Sequence, residues 1–151
     1  MDFVIASLHR SVYTPNNKAN HTQALIKAME NPNVHIIGHP IDVHYDLDIK
    51  AVAEAAARTL TILEINNQSL NPIGFRYEGE ERHMQLLELC KQYGIPVLAG
   101  SDAHFCTEVG EMWRAITLIE AVGLPCCQVL NTDVELLYRA IGKKRESVNH
   151  E

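Results

Sequence analysis

The 151-residue sequence offers no obvious means of entering a membrane. Its first apolar stretch, Phe3-Val4-Ile5-Ala6, is far too short for a signal peptide or a span, and it has no basic start. Cysteine is sparse. Cys90, Cys106, Cys126 and Cys127 form no C-x-x-C pair and no zinc-finger spacing, which predicts reduced thiols and a cytoplasmic location. Positive charge is also scarce: 13 Lys and Arg stand against 19 Asp and Glu, for a net charge of −6. The basic residues are scattered and give no phosphate-backbone footprint, so nucleic acid is not an expected partner. The G-x-S-x-G elbow, the P-loop and the G-x-G-x-x-G turn are all missing. Repeats, low-complexity segments and domain linkers are missing too.

What remains is an ordinary globular composition, 46% hydrophobic and 21% charged, in a chain long enough for one domain with a real core. Four apolar runs stand out: Phe3 to Leu8, Val34 to Gly38, Leu60 to Ile65 and Pro96 to Ala99. Each is near-continuous rather than alternating, the pattern of strands buried on both faces of a parallel sheet. Amphipathic stretches separate them. Helices are predicted over about Asn20–Glu30, Asp48–Thr59, Glu80–Tyr93 and Glu108–Val122, with a last helix from Thr132, where Thr132 and Glu135 have capping-box spacing. The predicted order is β-α-β-α-β-α-β-α plus a final helix, with strands about 30 residues apart as βαβ units require. Four units are too few to close an eight-stranded barrel, which takes about 250 residues. They suit an open sheet or part of a barrel.

Polar groups stand just past every strand. The first run ends at His9, the second at Gly38-His39-Pro40, the third in Glu64-Ile65-Asn66-Asn67 and the fourth in Gly100-Ser101-Asp102-Ala103-His104. The C-terminal rim of such sheets is where active sites lie. Asp102-x-His104 reads in two ways. An extended segment would point both side chains the same way, toward one metal or two neighbouring ones; alternatively Ser101 or Asp102 opens a helix and His104 is merely exposed. His9 reads as a ligand or as a core-edge histidine. His39 before Pro40 reads as a structural turn. Glu64 lies inside its strand, where a carboxylate must be paired, hydrogen-bonded or metal-linked, and a supporting position behind metal ligands is expected for it. Asn66 and Asn67 would bond the rim or cap a turn. Arg76, in the loop from Gln68 to Gly79, carries a planar fork suited to phosphate or is a solvated loop residue. The sequence contains eight histidines; His21, His35, His44 and His83 are given no role.

Ile5-Ala6-Ser7-Leu8-His9, His35-Ile36-Ile37-Gly38-His39-Pro40, Leu63-Glu64-Ile65-Asn66-Asn67 and Gly100-Ser101-Asp102-Ala103-His104 occur in that order. Together they resemble the C-terminal portion of the PHP (polymerase and histidinol phosphatase) superfamily, in its YcdX-like branch, to about residue 140. Each segment is weak alone; the ordered set is specific. The resemblance implies an α/β fold, a partial (β/α) barrel of the distorted seven-stranded PHP type, with residues 1–142 forming the barrel portion and 143–151 a charged, disordered tail. It implies metal-dependent hydrolysis of phosphate monoesters. Divalent ions, zinc foremost with manganese or iron as alternatives, would be held by His9, Asp102 and His104. Asp102 would also act in catalysis, Arg76 would contact substrate phosphate, and His39, Glu64 and Asn66 would support the ligands.

The family's earlier motifs, an H-x-H among them, lie outside the region matched here. A truncation, a mis-started gene and a half-protein that pairs with another chain or with itself would all account for that. Two further readings are a non-catalytic half-barrel stable only as an oligomer and a phosphodiesterase or nuclease. The acidic balance weighs against the nuclease. A small phosphorylated substrate is the expected ligand.

Overall fold

A computed structural model describes residues 2–148, with side chains as far as Lys144. The elements are β1 (Ile5–Ala6), α1 (Lys18–Glu30), β2 (Ile36–Ile37), α2 (Ile49–Thr59), β3 (Ile62–Asn66), α3 (Glu80–Tyr93), β4 (Val97–Gly100), α4 (Trp113–Val122) and α5 (Val134–Val148). All four strands are parallel and lie side by side in chain order, β1-β2-β3-β4. This is an α/β architecture, and strands laid down in sequence order are consistent with a sector of a β/α barrel.

Local chemistry explains where the predicted boundaries hold and where they shift. Helix α3 occupies the predicted residues and stops at Gly94, whose φ of 69° is a left-handed cap. Helix α1 starts earlier than predicted because the Asn17 side chain accepts a hydrogen bond from the Asn20 amide. Strand β3 starts later than Leu60, since Leu60 is itself the left-handed cap of α2, with φ 54°. Helix α4 starts at Trp113 rather than Glu108. A 3-10 turn over Cys106–Glu108 and a left-handed Gly110, φ 84°, interrupt the segment. The capping box expected at Thr132 does not form. Thr132 ends a 3-10 turn and its hydroxyl donates to the Val129 carbonyl, while the Asp133 carboxylate accepts from the Glu135 amide and opens α5. That helix continues through Lys143 and Lys144 to Val148, so the charged segment expected to be a tail is helical that far; residues 149–151 lie outside the described residues.

The two faces of the sheet are covered differently. Ile37, Leu63, Ile65, Val97 and Ala99 point into the main core, with Leu25, Met29, Val52, Leu86 and Leu118 of helices α1 to α4. Alternation along each strand sends Ile36 and Ile62 to the opposite face, where they meet Leu130, Ile141 and the partly buried Leu98 and Leu136. Helix α5 thus closes the start of that face. Its Lys144 is buried, and its ammonium donates to the Met29 carbonyl in the last turn of α1 and to the Thr61 hydroxyl. A cation at a helix C-terminus is favoured by the helix dipole, although burial lowers the Lys144 pKa to about 8.

The sheet edges differ too. Beside β4, Val129 bridges Val97, and the Asn131 amide both accepts from and donates to the Ala99 backbone. Strand β1 has only β2 beside it among the described residues, and Ile5 is 53% exposed. No helix among the described residues is long and apolar enough to cross a membrane.

His83, in the first turns of α3, is 1% exposed, and its ring N–H donates to the Gly79 carbonyl at 2.7 Å. Burial lowers its pKa from 6.5 to about 4. The folded state therefore prefers the neutral ring. This contribution is fully present above pH 6.5 and is lost as pH falls toward 4, with a ceiling of about 3 kcal/mol. Urea unfolding as a function of pH should show this acid slope, and His83→Gln, which takes up no proton, should reduce it to the share left by His39. An unchanged slope in the variant would remove His83 as its source.

Candidate active site

The C-terminal end of the sheet is organised around a carboxylate inside a strand. Glu64 shares a face with Ile62, away from helices α1 to α4. Its neighbours on that face are Gly38, just past β2, and Gly100, the last residue of β4. Neither has a side chain, and the Glu64 carboxylate fills the notch between them. A Cβ built on Gly100 would lie 1.9 Å from Glu64 Oε1, and one on Gly38 would lie 3.5 Å from Oε2. Glu64 Oε2 accepts from the His39 amide at 2.7 Å and from the Asn66 side-chain amide at 3.3 Å. Burial raises the Glu64 pKa, while these two hydrogen bonds hold it down.

Those bonds stabilise an unusual backbone. His39 has φ 31° and Asp102 has φ 48°, left-handed conformations that cost a non-glycine residue energy. Each stands two residues past the end of its strand. The turn at His39 swings its ring to His9, with Nε2 atoms 3.3 Å apart and the rings edge-on, 4.8 Å between centroids. The Ser7 hydroxyl also lies 2.9 Å from His9 Nε2. Burial, assisted by the nearby Arg76 charge and then by His9, lowers the His39 pKa to about 4. His39 is thus a neutral imidazole at neutral pH, the form that can hold a metal.

A chain of charges runs from His39 across the rim. Asp42 is 5% exposed. Its Oδ1 accepts from the backbone and ring of His44 at 2.9 and 2.7 Å, and its Oδ2 lies 3.4 Å from Arg76 Nε and 3.9 Å from His39 Nδ1. Arg76, itself 7% exposed, uses Nη1 to bind Asp102. The guanidinium also lies over the Phe75 ring, 4.8 Å from its centroid. One cation therefore serves two carboxylates.

Of the residues singled out in the sequence, His9 and His39 meet, Glu64 and Asn66 sit directly behind His39, and Arg76 pairs with Asp102. Arg76 is therefore not a solvated loop residue. Asn66 is 1% exposed, and its Oδ1 accepts from the Ser69 amide. Asn67 caps helix α4 from a distance by accepting from the Arg114 and Ala115 amides. His104 stands apart. The left-handed Asp102 breaks the extended geometry that would have aligned the two side chains. Instead, His104 Nδ1 donates to the Asp102 carbonyl at 2.8 Å, the His104 amide donates to Glu108, and the exposed ring meets the edge of Phe75. Asp42 and His44 were missed. Asp42 lies three residues past His39 on a loop of no periodicity, and its only sequence signal is a carboxylate two residues after Gly-His-Pro.

A divalent ion was the expected occupant. Imidazole and carboxylate donors are of the right chemistry. The donors do not converge, however: among the described residues no three His, Cys, Asp or Glu side chains form a group that could hold a metal ion. His9 and His39 approach each other, Asp102 is turned to Arg76, and His104 is turned to the backbone.

The Glu64 notch makes a sharp prediction. Gly100→Ala should destabilise the fold by about 1–3 kcal/mol through overpacking. In the Glu64→Ala background the same change should cost much less, because its obstacle is gone. Equal costs in the two backgrounds, measured by denaturant unfolding as a double-mutant cycle, would show that the notch does not hold the carboxylate.

Residues 80–144 match the PHP-associated family. The chain is 36% identical over 148 residues to the probable phosphatase of Acetivibrio thermocellus, spanning 98% of this chain and 60% of that protein. It is 39% identical over 149 residues to the probable phosphatase TTE1963 of Caldanaerobacter subterraneus subsp. tengcongensis, spanning 98% of this chain and 58% of that protein. It is 38% identical over 131 residues to the probable phosphatase YcdX of Escherichia coli K12, spanning 87% of this chain and 53% of that protein. The chain thus spans between about half and three-fifths of the length of the curated relatives it matches. The chain thus carries a PHP-associated domain over residues 80–144 and is similar along nearly its whole length to proteins named probable phosphatases.

Proposed function

We propose that this chain supplies part of the active centre of a metal-dependent phosphatase that hydrolyses phosphate monoesters. The observation that carries the reading is the rim itself. His9, His39, Glu64, Asp42, Arg76 and Asp102 come from four different strand ends and their loops to one connected cluster, in a chain whose relatives are named probable phosphatases. In this reading His9, Asp102 and His104 hold metal. A bound divalent ion would supply Lewis acidity and a water of lowered pKa.

The chain's own residues do the positioning. Glu64, gripped between Gly38 and Gly100, fixes the His39 backbone and so the ring beside His9. Asn66 steadies Glu64. Arg76 balances Asp42 and Asp102 and presents the only guanidinium of this cluster to a substrate phosphate, a group that its planar fork matches. Zinc, manganese and iron all suit the donor types, and the substrate is a small phosphorylated molecule.

A second reading has its own observation. The expected donors do not converge among the described residues, and the β1 edge is open beside a half-exposed Ile5. Both fit a half-barrel completed by further chain or by a second copy.

Elemental analysis of the purified protein separates the two. Near-stoichiometric zinc, manganese or iron, lost in Asp102→Ala together with hydrolysis of a small phosphomonoester, is the expected result for a working centre. Metal at background in the wild type would mean that donors from outside this chain are indispensable. Full activity in Asp102→Ala would remove Asp102 from the mechanism.

A further inference from the structure

Beside the charged rim lies an open cleft of about 500 Å³, between the loop carrying Asn71 to Arg76 and the one carrying His104 to Glu108. Its walls are unusually apolar for a loop surface. Ile73 is 93% exposed, Phe75 65% and Phe105 71%. Three large apolar side chains in solvent around one cleft mark a binding surface more often than an accident of packing.

Phe75 is held in place by the site's own residues. Arg76 covers one face, at 4.8 Å, and the His104 ring meets it edge-on, at 6.2 Å between centroids and 85° between planes. The ring is fixed yet remains two-thirds exposed. Gln68, Asn71 and Glu108 add polar groups around the same cleft. The sequence gave Phe75 and Phe105 no role, and the rim chemistry does not use them.

We infer that this cleft is the leaving-group subsite of the phosphoester centre, and that it takes a planar aromatic ring stacked against Phe75. The inference rests on the phosphatase reading. Its geometry follows from continuity: the Arg76 guanidinium lies over the Phe75 ring and both residues line the cleft, so the remainder of an ester whose phosphate is held at Arg76 has this cleft beside it. Charge complementarity fixes the direction, with the anionic end at Arg76 and the apolar end toward Ile73, Phe75 and Phe105. An aromatic group gains from this wall both by burying apolar area and by ring–ring contact, whose edge and face geometry a saturated ring of similar size cannot copy. A protein partner covering the same patch is the competing occupant. The Arg76 and His104 contacts favour the small molecule, because they tie the ring to the charged rim rather than to a flat surface.

The test is calorimetric titration of the 151-residue chain, with and without added Zn²⁺, using inorganic phosphate, phenyl phosphate, cyclohexyl phosphate and adenosine 5′-monophosphate. Phenyl phosphate should bind about 3- to 10-fold more tightly than cyclohexyl phosphate. Phe75→Leu and Phe75→Ala should both erase that difference and leave inorganic phosphate binding unchanged. Phe75 is exposed, and an unchanged melting temperature in both variants shows that folding is intact. The adenosine arm tells a nucleoside ring from a simple aryl ring.

Phosphate binding without aromatic preference, or a preference that survives both substitutions, overturns the subsite and leaves the phosphatase reading standing. No binding of any phosphate under either condition overturns both. A sedimentation mass that is oligomeric in the wild type and monomeric in Phe75→Ala assigns the patch to a self-interface and also overturns the subsite.

Discussion

A carboxylate buried in a parallel strand is costly unless its charge is satisfied, and the arrangement of this rim follows from how Glu64 is satisfied. Two glycines on the neighbouring strands leave space for its head group, and the His39 amide and the Asn66 side chain bind it. Neither glycine is there for a left-handed backbone. Gly100 matters because a Cβ there would occupy the carboxylate's place, whereas a Cβ on Gly38 would press on Ile5 and only touch the carboxylate. The hydrogen bond to the His39 amide then holds the strained turn that sends the His39 ring to His9. Strand, notch, turn and imidazole pair form one dependent series, and its first member is the missing Cβ of Gly100.

Electrostatics links that series to the other half of the rim. Arg76 is nearly buried and is divided between Asp42 and Asp102. Such a pair gains little net stability over an apolar replacement, yet removal of one partner leaves an uncompensated charge. The arrangement therefore makes more sense as a way of holding oxygen and nitrogen groups at set positions than as a stabilising device. The same guanidinium is a phosphate-matching fork and one of the walls around Phe75. Charge placement, substrate anchoring and the apolar cleft meet at a single residue.

The chain spans only part of the length of its relatives, and its sheet is treated unequally at its borders. Asn131 and Val129 close the β4 edge, α5 covers the start of one face, and Lys144 ties that helix to the end of α1. The β1 edge has no such cover among the described residues. Around the rim, His104 faces outward and away from the other candidate donors.

Much of the architecture was legible in the sequence, because it depends on short-range rules. Near-continuous Val, Ile and Leu runs gave the four parallel strands; helical periodicity and the Gly94 cap gave α3; and the polar residues after each strand gave the location of the site. The misjudged boundaries came from equally local but weaker signals, namely a left-handed leucine at position 60, Gly110 within the predicted α4, and Asp133 in place of Thr132 at the start of α5. The connectivity of the site could not be read. Asp42 and Arg76 are loop residues 34 positions apart, with no shared period, and only folding brings them to one ion pair. The direction of Asp102 and His104 depends on a φ value set by the surrounding rim, and no spacing rule gives that. Sequence alone determined which residues stand at the end of each strand, since alternation and chain order are local properties. Tertiary structure decided which of them touch, since contact between separate strand ends depends on the space that Gly100 leaves for the Glu64 carboxylate.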